Sequence, residues 1–171
     1  PIAEFVFASQ EKIFSRLDAL NFLIDHQKSG ILVTNVAASK LLLPDSIDFK
    51  NTNINLTVGQ EYDLNNLVKM LSRSGYKKVS QVLSQGEYSL RGDILDIFER
   101  SAEAPYRLEF FGDEIDGIRI FNPENQTSID NIESILIKPA SDILLSEKDY
   151  ARGRKNLEAI LEKSVDPALS L

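Results

Sequence analysis

The feature that most constrains this chain is a run of short β-rich segments in its middle third. They cover residues 86–98, 106–111, 115–121 and 132–137, and turn residues such as Gly, Asp, Asn and Pro separate them. Such short intervals are typical of hairpins, which join antiparallel neighbours. The spacing therefore predicts an antiparallel sheet. Within the first segment, Gly92 predicts either a bulge or a break in the strand.

One predicted helix precedes these strands. Asp63 is suited to cap its N terminus, four apolar residues recur at helical spacing between positions 64 and 71, and Gly75 is suited to end it. A helix packed on an antiparallel sheet gives an α+β (mixed) fold, here over residues 53–139.

The preceding segment, residues 1–52, has α/β character. Ser9 predicts the cap of a helix whose apolar stripe runs over residues 13–24, and a short buried strand at 31–33 and a helical turn at 37–43 follow. One strand cannot form a sheet by itself. We therefore interpret this segment as the C-terminal part of a larger α/β domain.

The last segment, residues 140–171, predicts a charged amphipathic helix. Its apolar residues are Tyr150, Leu157, Ile160 and Leu161. Ser146 and Asp149 resemble a capping box at its start.

The composition excludes several classes of function. The 171 residues include no Cys and one His, which removes disulfides, thiolate zinc sites and most hydrolase triads. A net charge of −7 argues against a freestanding nucleic-acid binder. No apolar run approaches the ~18 residues of a spanning helix, and no secretory signal is visible, so we expect a cytoplasmic protein without a membrane partner.

Two candidate chemical sites are interpreted as surface features. The string Asp113-Glu114-Ile115-Asp116 matches the D-E-x-D of a helicase Walker B motif, but the sequence has no G-x-x-x-x-G-K-[ST] phosphate cradle. Acidic residues next to a Gly are typical turn formers, so the string predicts a hairpin turn. His26 has no second titratable partner and is expected at the surface. We predict no catalytic, cofactor-binding or metal-binding residue.

Alternation along the strands points to a different kind of site. Side chains of a strand point to opposite faces in turn. In residues 106–111, Tyr106, Leu108 and Phe110 therefore predict a core face, and Arg107 and Phe111 fall on the opposite one.

The same alternation places Arg91 opposite the apolar side chains of its own strand. If the two strands are neighbours, Arg91, Arg107 and Phe111 share one outward face. Arg and aromatic residues are enriched at interface hot spots. Alternatively, Phe111 folds under the preceding helix and the arginines pair with Glu87 or Glu109. The pattern leaves both interpretations open and by itself favours the second, since single exposed apolar side chains are common.

Two long strings carry a resemblance to a known family. Residues 86–98, GEYSLRGDILDIF, and 106–116, YRLEFFGDEID, resemble the N-terminal UvrB-like module of bacterial transcription-repair coupling factors (Mfd), and the same module of their paralogue UvrB. The strings ALNFL at 19–23 and GILVTNV at 30–36 also resemble the coupling factors. UvrB sequences tend to carry Arg at the position of Ser89 and have a DNA-gripping aromatic hairpin without counterpart here. Both differences favour the coupling factors.

The resemblance implies a fragment of a large ATP-driven DNA translocase that removes stalled RNA polymerase at lesions and recruits excision repair. Residues 1–52 would end the first UvrB-like domain (1a), which is helicase-like, P-loop-type and degenerate. Residues 53–139 would be domain 2, which binds UvrA, and residues 140–171 would begin domain 1b. The UvrA-contacting residues of the family, two arginines and a phenylalanine, fall at Arg91, Arg107 and Phe111.

The same resemblance assigns the other partners to other parts of the parent protein. RNA polymerase and double-stranded DNA would bind elsewhere, motor domains would hold ATP and Mg, and a C-terminal domain of the parent would mask the UvrA-binding surface before activation. This stretch alone would then be no enzyme and hold no cofactor. The alternative is a UvrB-type fragment, or a degenerate helicase fragment that still binds nucleotide or DNA weakly.

Overall fold

The computed structural model describes residues 10–24, 29–40, 43–44, 46–141 and 147–164. The helices are α1 (Gln10–Ile24), α2 (Val36–Ser39), α3 (Ser46–Asn51), α4 (Leu64–Arg73) and α5 (Glu147–Ser164). The strands are β1 (Ile54–Thr57), β2 (Lys77–Lys78), β3 (Glu87–Arg91), β4 (Ile94–Phe98), β5 (Tyr106–Phe111), β6 (Glu114–Phe121), β7 (Ser128–Ile132) and β8 (Ser134–Ile137). This mixture of helices and antiparallel strands confirms the predicted α+β class.

Six strands form one sheet in the order β2-β3-β4-β5-β6-β7, and β1 and β8 form a separate two-stranded sheet. The predicted antiparallel pairing is confirmed from β3 to β7, and only the two-residue strand β2 runs parallel to its neighbour. The domain boundaries after residues 52 and 139 stay predictions.

The prediction of one strand over residues 86–98 is wrong. This segment is a hairpin of β3 and β4, with Gly92 and Asp93 in the turn. Gly92 has φ +60°, a backbone conformation that hairpin turns need and that Gly adopts without a side-chain clash. Of the two alternatives for Gly92, the break in the strand is confirmed, since β3 ends at Arg91 and β4 begins at Ile94, and the bulge is wrong. The apolar residues after it resembled a continuation because both strands alternate in the same way.

Helix α4 covers one face of the six-stranded sheet, as predicted. The Asp63 side chain caps the helix by accepting hydrogen bonds from the amides of Asn65 (2.9 Å) and Asn66 (3.1 Å). Leu67 and Leu71 then belong to one buried cluster with apolar residues of every long central strand. Burial of each such side chain contributes about 1.5–3 kcal/mol, so this face holds most of the core.

Tyr76, which follows this helix, ties the end of the helix to the rest of the domain. The hydroxyl of the buried Tyr76 donates to the carbonyl of Lys138 over 2.8 Å. Burial raises the pKa of Tyr76, since no water reaches the phenolate to stabilise its charge, and the nearby Glu99 adds to the shift. Burial likewise raises the pKa of Tyr106.

The segments outside the sheet agree only in part with the expectations. The predicted helix over residues 13–24 is confirmed as α1, whose Leu17 and Leu20 pack with Phe49 of α3. The buried strand predicted at 31–33 is wrong. Ile31 and Val33 are almost fully exposed, and no strand of the described residues lies beside them to pair with their backbone.

The remaining predictions concern the short and terminal helices. The predicted helical turn is α2, which Asn35 caps by accepting a hydrogen bond from Ala38 N over 2.8 Å. The predicted charged helix is α5, with Leu157, Ile160 and Leu161 exposed. The predictions for Ser9, His26, Ser146 and the Tyr150 side chain lie outside the described residues. Among the described helices, none is both long and apolar enough to cross a membrane.

Candidate interaction site

Arg91, Arg107 and Phe111 lie on the face of the six-stranded sheet that is opposite α4, which we call the outer face. Residues paired directly across antiparallel strands share a face. The register pairs Ser89 with Asp96 and Asp96 with Arg107, which sets Arg107 on the same face as Arg91, two positions after Ser89. The structure therefore brings the three predicted residues onto one face. They do not come from neighbouring strands, however, because β4 lies between β3 and β5.

Asp96 of β4 joins the two arginines. Nη2 of Arg91 lies 2.7 Å from Oδ2 of Asp96, and Arg107 donates from Nε to Oδ1 (2.7 Å) and from Nη2 to Oδ2 (2.9 Å). The Asp96 side chain is only 2% exposed. A carboxylate this deeply buried is stable only when it is paired, and two guanidinium groups from the flanking strands supply the pairing.

The sequence reasoning missed Asp96 and expected other acidic partners. The expectation that the arginines pair with Glu87 or Glu109 is wrong. Glu87 accepts hydrogen bonds from the amides of Leu83 and Ser84, and Glu109 pairs with Arg119. A signal was present, because one charged residue stands inside the apolar string ILDIF, and buried charges are nearly always paired.

Arg107 is nearly closed off from solvent, with its side chain 15% exposed. Its Nη2 also donates to Oε1 of Gln126 over 2.8 Å, and its guanidinium carbon lies 4.4 Å from the centroid of the Phe121 ring. The hydrogen bonds that Arg107 donates to Asp96 raise the pKa of Arg107 further above its ordinary value, so they favour the charged guanidinium. Arg107 thus has two roles in the outer face: its contacts hold the face together, and its guanidinium contributes a positive charge.

Phe111 and Arg91 are the accessible members of the set. Phe111 is 82% exposed, and the Arg91 side chain is 49% exposed. The alternative that Phe111 folds under α4 is wrong, since its neighbour Phe110, at 7% exposed, occupies the core side. The register shift after Glu109 places the extra residue, Asp116, in β6, so alternation along β5 is unbroken.

Loops cover the other end of the outer face. Phe98 and Phe121 are buried there without belonging to the main core cluster, and Ser89 donates from its hydroxyl to the carbonyl of Ser80 over 3.0 Å. The side chain of Gln81 reaches the carbonyl of Pro123 over 3.4 Å and links the two loops. Across β3 to β6, the outer face is consequently covered at this end and open toward the β3–β4 and β5–β6 turns.

The open part of the outer face carries three charged side chains and one aromatic side chain. We call it the open patch and define it by Arg91, Glu109, Phe111 and Arg119. Glu109 and Arg119 form an ion pair and are each about one-third exposed. The patch therefore offers an apolar ring, one half-exposed cation and a mixed-charge pair.

The predicted hairpin turn is confirmed at Gly112 and Asp113, where the acidic string begins, whereas Glu114, Ile115 and Asp116 lie in β6. Gly112 has φ +65° and stands with Asp113 between β5 and β6, and Glu114 and Asp116 are exposed. Across the described ranges, no group of three or more His, Cys, Asp or Glu side chains is arranged to hold a metal ion.

Comparison with known proteins finds similarity along almost the whole chain. A family model described as the UvrB interaction domain matches residues 54–142. The transcription-repair-coupling factor of Bacillus subtilis is 34% identical over 163 residues, which is 95% of this chain and 14% of that protein. The transcription-repair-coupling factor of Myxococcus xanthus is 32% identical over 160 residues, 93% of this chain and 13% of that protein.

A second type of relative is more distant. The UvrABC system protein B of Thermosipho africanus is 31% identical over 151 residues, 88% of this chain and 22% of that protein. The chain thus spans only a small part of the curated relatives it matches. The family model covers the strands that build the outer face and the helix that packs behind them, and the chain belongs to the UvrB interaction domain family.

Proposed function

We propose that this chain is the protein-interaction module of a transcription-repair coupling factor, and that its outer face binds UvrA through Arg91, Arg107 and Phe111. One observation carries the proposal. The ring of Phe111 is exposed on the same face as Arg91, two strands away, at the open end of the outer face, and the family resemblance implies UvrA contacts at both residues.

The chemistry of the open patch supports a protein partner. A Phe ring that becomes fully buried in an interface contributes about 1.5–3 kcal/mol. The half-exposed Arg91 adds a forked donor for a carboxylate of the partner, and Arg is over-represented at such contacts because its fork is planar and always charged. The charge of −7 disfavours DNA as the ligand of this stretch, since phosphate binding depends on an excess of basic residues.

The rest of the parent protein would supply the other activities. In our proposal, RNA polymerase and double-stranded DNA bind to other domains, and motor domains that hold ATP and Mg drive translocation. A C-terminal domain of the parent covers the open patch until activation. The UvrB relative points to a second candidate parent, an excision-repair protein B, which would use the same face for the same partner.

Calorimetric titration of the chain with purified UvrA tests the proposal. Phe111→Ala is expected to weaken binding by about 1.5–3 kcal/mol, or roughly 10- to 160-fold, and Arg91→Ala to weaken it in the same direction. Ile129→Ala and Arg154→Ala are matched controls, because these two residues are exposed and lie outside the open patch. Equal affinity of all four variants and the unmodified chain would refute the proposed site.

A further inference from the structure

We propose that Asp96 is the positioning residue of this site: its buried carboxylate holds the guanidinium of Arg91 in the orientation that receives an acidic group of the partner. This inference rests on the proposed function. It names a residue that does not itself touch the partner, and it specifies the partner surface.

The cluster around Asp96 carries an excess of positive charge. One carboxylate, 2% exposed, is shared by two guanidinium groups, so the cluster has a net charge of +1. Arg107 is largely buried and also bonds Gln126, whereas the Arg91 side chain is half exposed. The uncompensated positive charge is therefore presented to solvent at Arg91.

The side chain of Arg91 is already restrained before the partner binds. A free Arg side chain samples many rotamers, and immobilising such a side chain in an interface costs about 0.5–1.5 kcal/mol. The 2.7 Å contact with Asp96 uses one nitrogen of the fork and holds it in place. The other nitrogens retain donors, since a guanidinium has five N–H groups. In the part of the chain that the structure describes, Asp96 is the only carboxylate paired with Arg91.

Arg91 and Phe111 together specify the chemistry of the partner surface. The open donors of Arg91 fit a carboxylate, and the exposed ring of Phe111, on the same face two strands away, fits an apolar pocket. The matching surface on the partner is therefore a Glu or Asp side chain next to an apolar depression. Arg107 and Asp96, joined by two hydrogen bonds, form the largely buried part of the site and do not contact the partner's carboxylate themselves.

A double-mutant cycle with UvrA tests the inference. Asp96→Asn keeps the size of the side chain but removes its charge, and we expect it to weaken binding about 2- to 12-fold by releasing Arg91. Added to Arg91→Ala, the same substitution is expected to cost less than about twofold more, because the exposed guanidinium that Asp96 positions for the partner is already gone and Arg107 stays held by Gln126 and Phe121. A purely structural role predicts the same loss in both backgrounds, and that result would overturn the inference.

A second measurement does not depend on whether the Asp96→Asn variant folds. In NMR spectra of the unmodified chain, rotation of the guanidinium groups of Arg91 and Arg107 is expected to be slow. That of Arg154, whose single pairing with Glu158 lies at the surface with the Arg side chain 83% exposed, is expected to be fast. Free rotation of Arg91 contradicts the inference.

The two experiments separate this inference from the proposed function. If Arg91→Ala and Phe111→Ala weaken UvrA binding but the cycle is additive, the binding face stands and the role of Asp96 is refuted. If neither variant changes the affinity for UvrA, the proposed function fails and the inference falls with it.

Discussion

The adjacent residues Phe110 and Phe111 allow a direct test of the face assignment, because the same substitution at each should affect different properties. Phe110 is 7% exposed on the core side of β5, and Phe111 is 82% exposed on the outer face. An aromatic side chain buries about 200 Å² when it is enclosed. At ~25 cal/mol per Å², and after subtraction of the area of the Cβ that Ala keeps, Phe110→Ala should cost about 4 kcal/mol of folding free energy, within the range measured for core Phe→Ala changes.

The corresponding cost at Phe111 is small. Less than a fifth of the same area is buried, so Phe111→Ala should lower the free energy of unfolding by about 1 kcal/mol or less. Urea unfolding followed by far-ultraviolet circular dichroism measures both. With an m-value of about 2 kcal/mol per M, Phe110→Ala is expected to lower the midpoint by about 2 M and Phe111→Ala by about 0.5 M or less.

Titration with UvrA should give the reverse ranking among folded variants. Phe110→Leu and Phe111→Leu provide a milder pair in case the first Ala variant does not fold. Equal losses of stability at the two positions, or a larger loss at Phe111, would refute the assignment of these rings to opposite faces.

Three further predictions address the turn, the buried tyrosine and the excluded ligands. Gly92→Ala should lower the free energy of unfolding by about 1–2 kcal/mol, because an Ala at φ +60° is strained even though no atom lies within 4 Å of the added carbon. Gly117→Ala is the control, since Gly117 has no positive φ. Equal losses of stability in the two variants would contradict backbone strain at Gly92. Because burial raises the pKa of Tyr76 above its ordinary value near 10, the stability contributed by its neutral phenol is complete below pH 10 and is lost as the pH rises further. The urea midpoint should therefore fall less between about pH 7 and pH 11 for Tyr76→Phe than for the unmodified chain. Equal falls in the two proteins would argue against this cause. Calorimetry with ATP should show no heat, and DNA should bind only weakly; a sub-micromolar, salt-sensitive DNA complex at physiological ionic strength would contradict the assignment to a protein-binding module.

The elements that the sequence predicted well depend on local physics. The Asp63 cap, the helix after it and the turn at Gly112 are decided by residues within a few positions of one another. The opposite placement of Phe110 and Phe111 also follows from the two-residue period of a single strand. The resemblance to the coupling factors likewise came from contiguous strings, and the family match agrees with it.

The errors arose where distant segments meet. The position of β4 between the two strands that carry the arginines is set by the sheet as a whole. The turn itself has a local signal, since a Gly-Asp pair between two apolar runs is typical of a two-residue hairpin. Ile31 and Val33 have the composition of a buried strand, but no described strand lies beside them. Burial and pairing of such segments depend on neighbours supplied by the fold.

By itself, the sequence determined which side chains share a face, since alternation is a property of the extended backbone. Only the tertiary structure decided that Asp96 stands between the two arginines, that Arg107 is covered and that Arg91 and Phe111 are open. The reason is that strand order and loop position set the surroundings of a side chain, and both result from contacts between residues far apart in the chain.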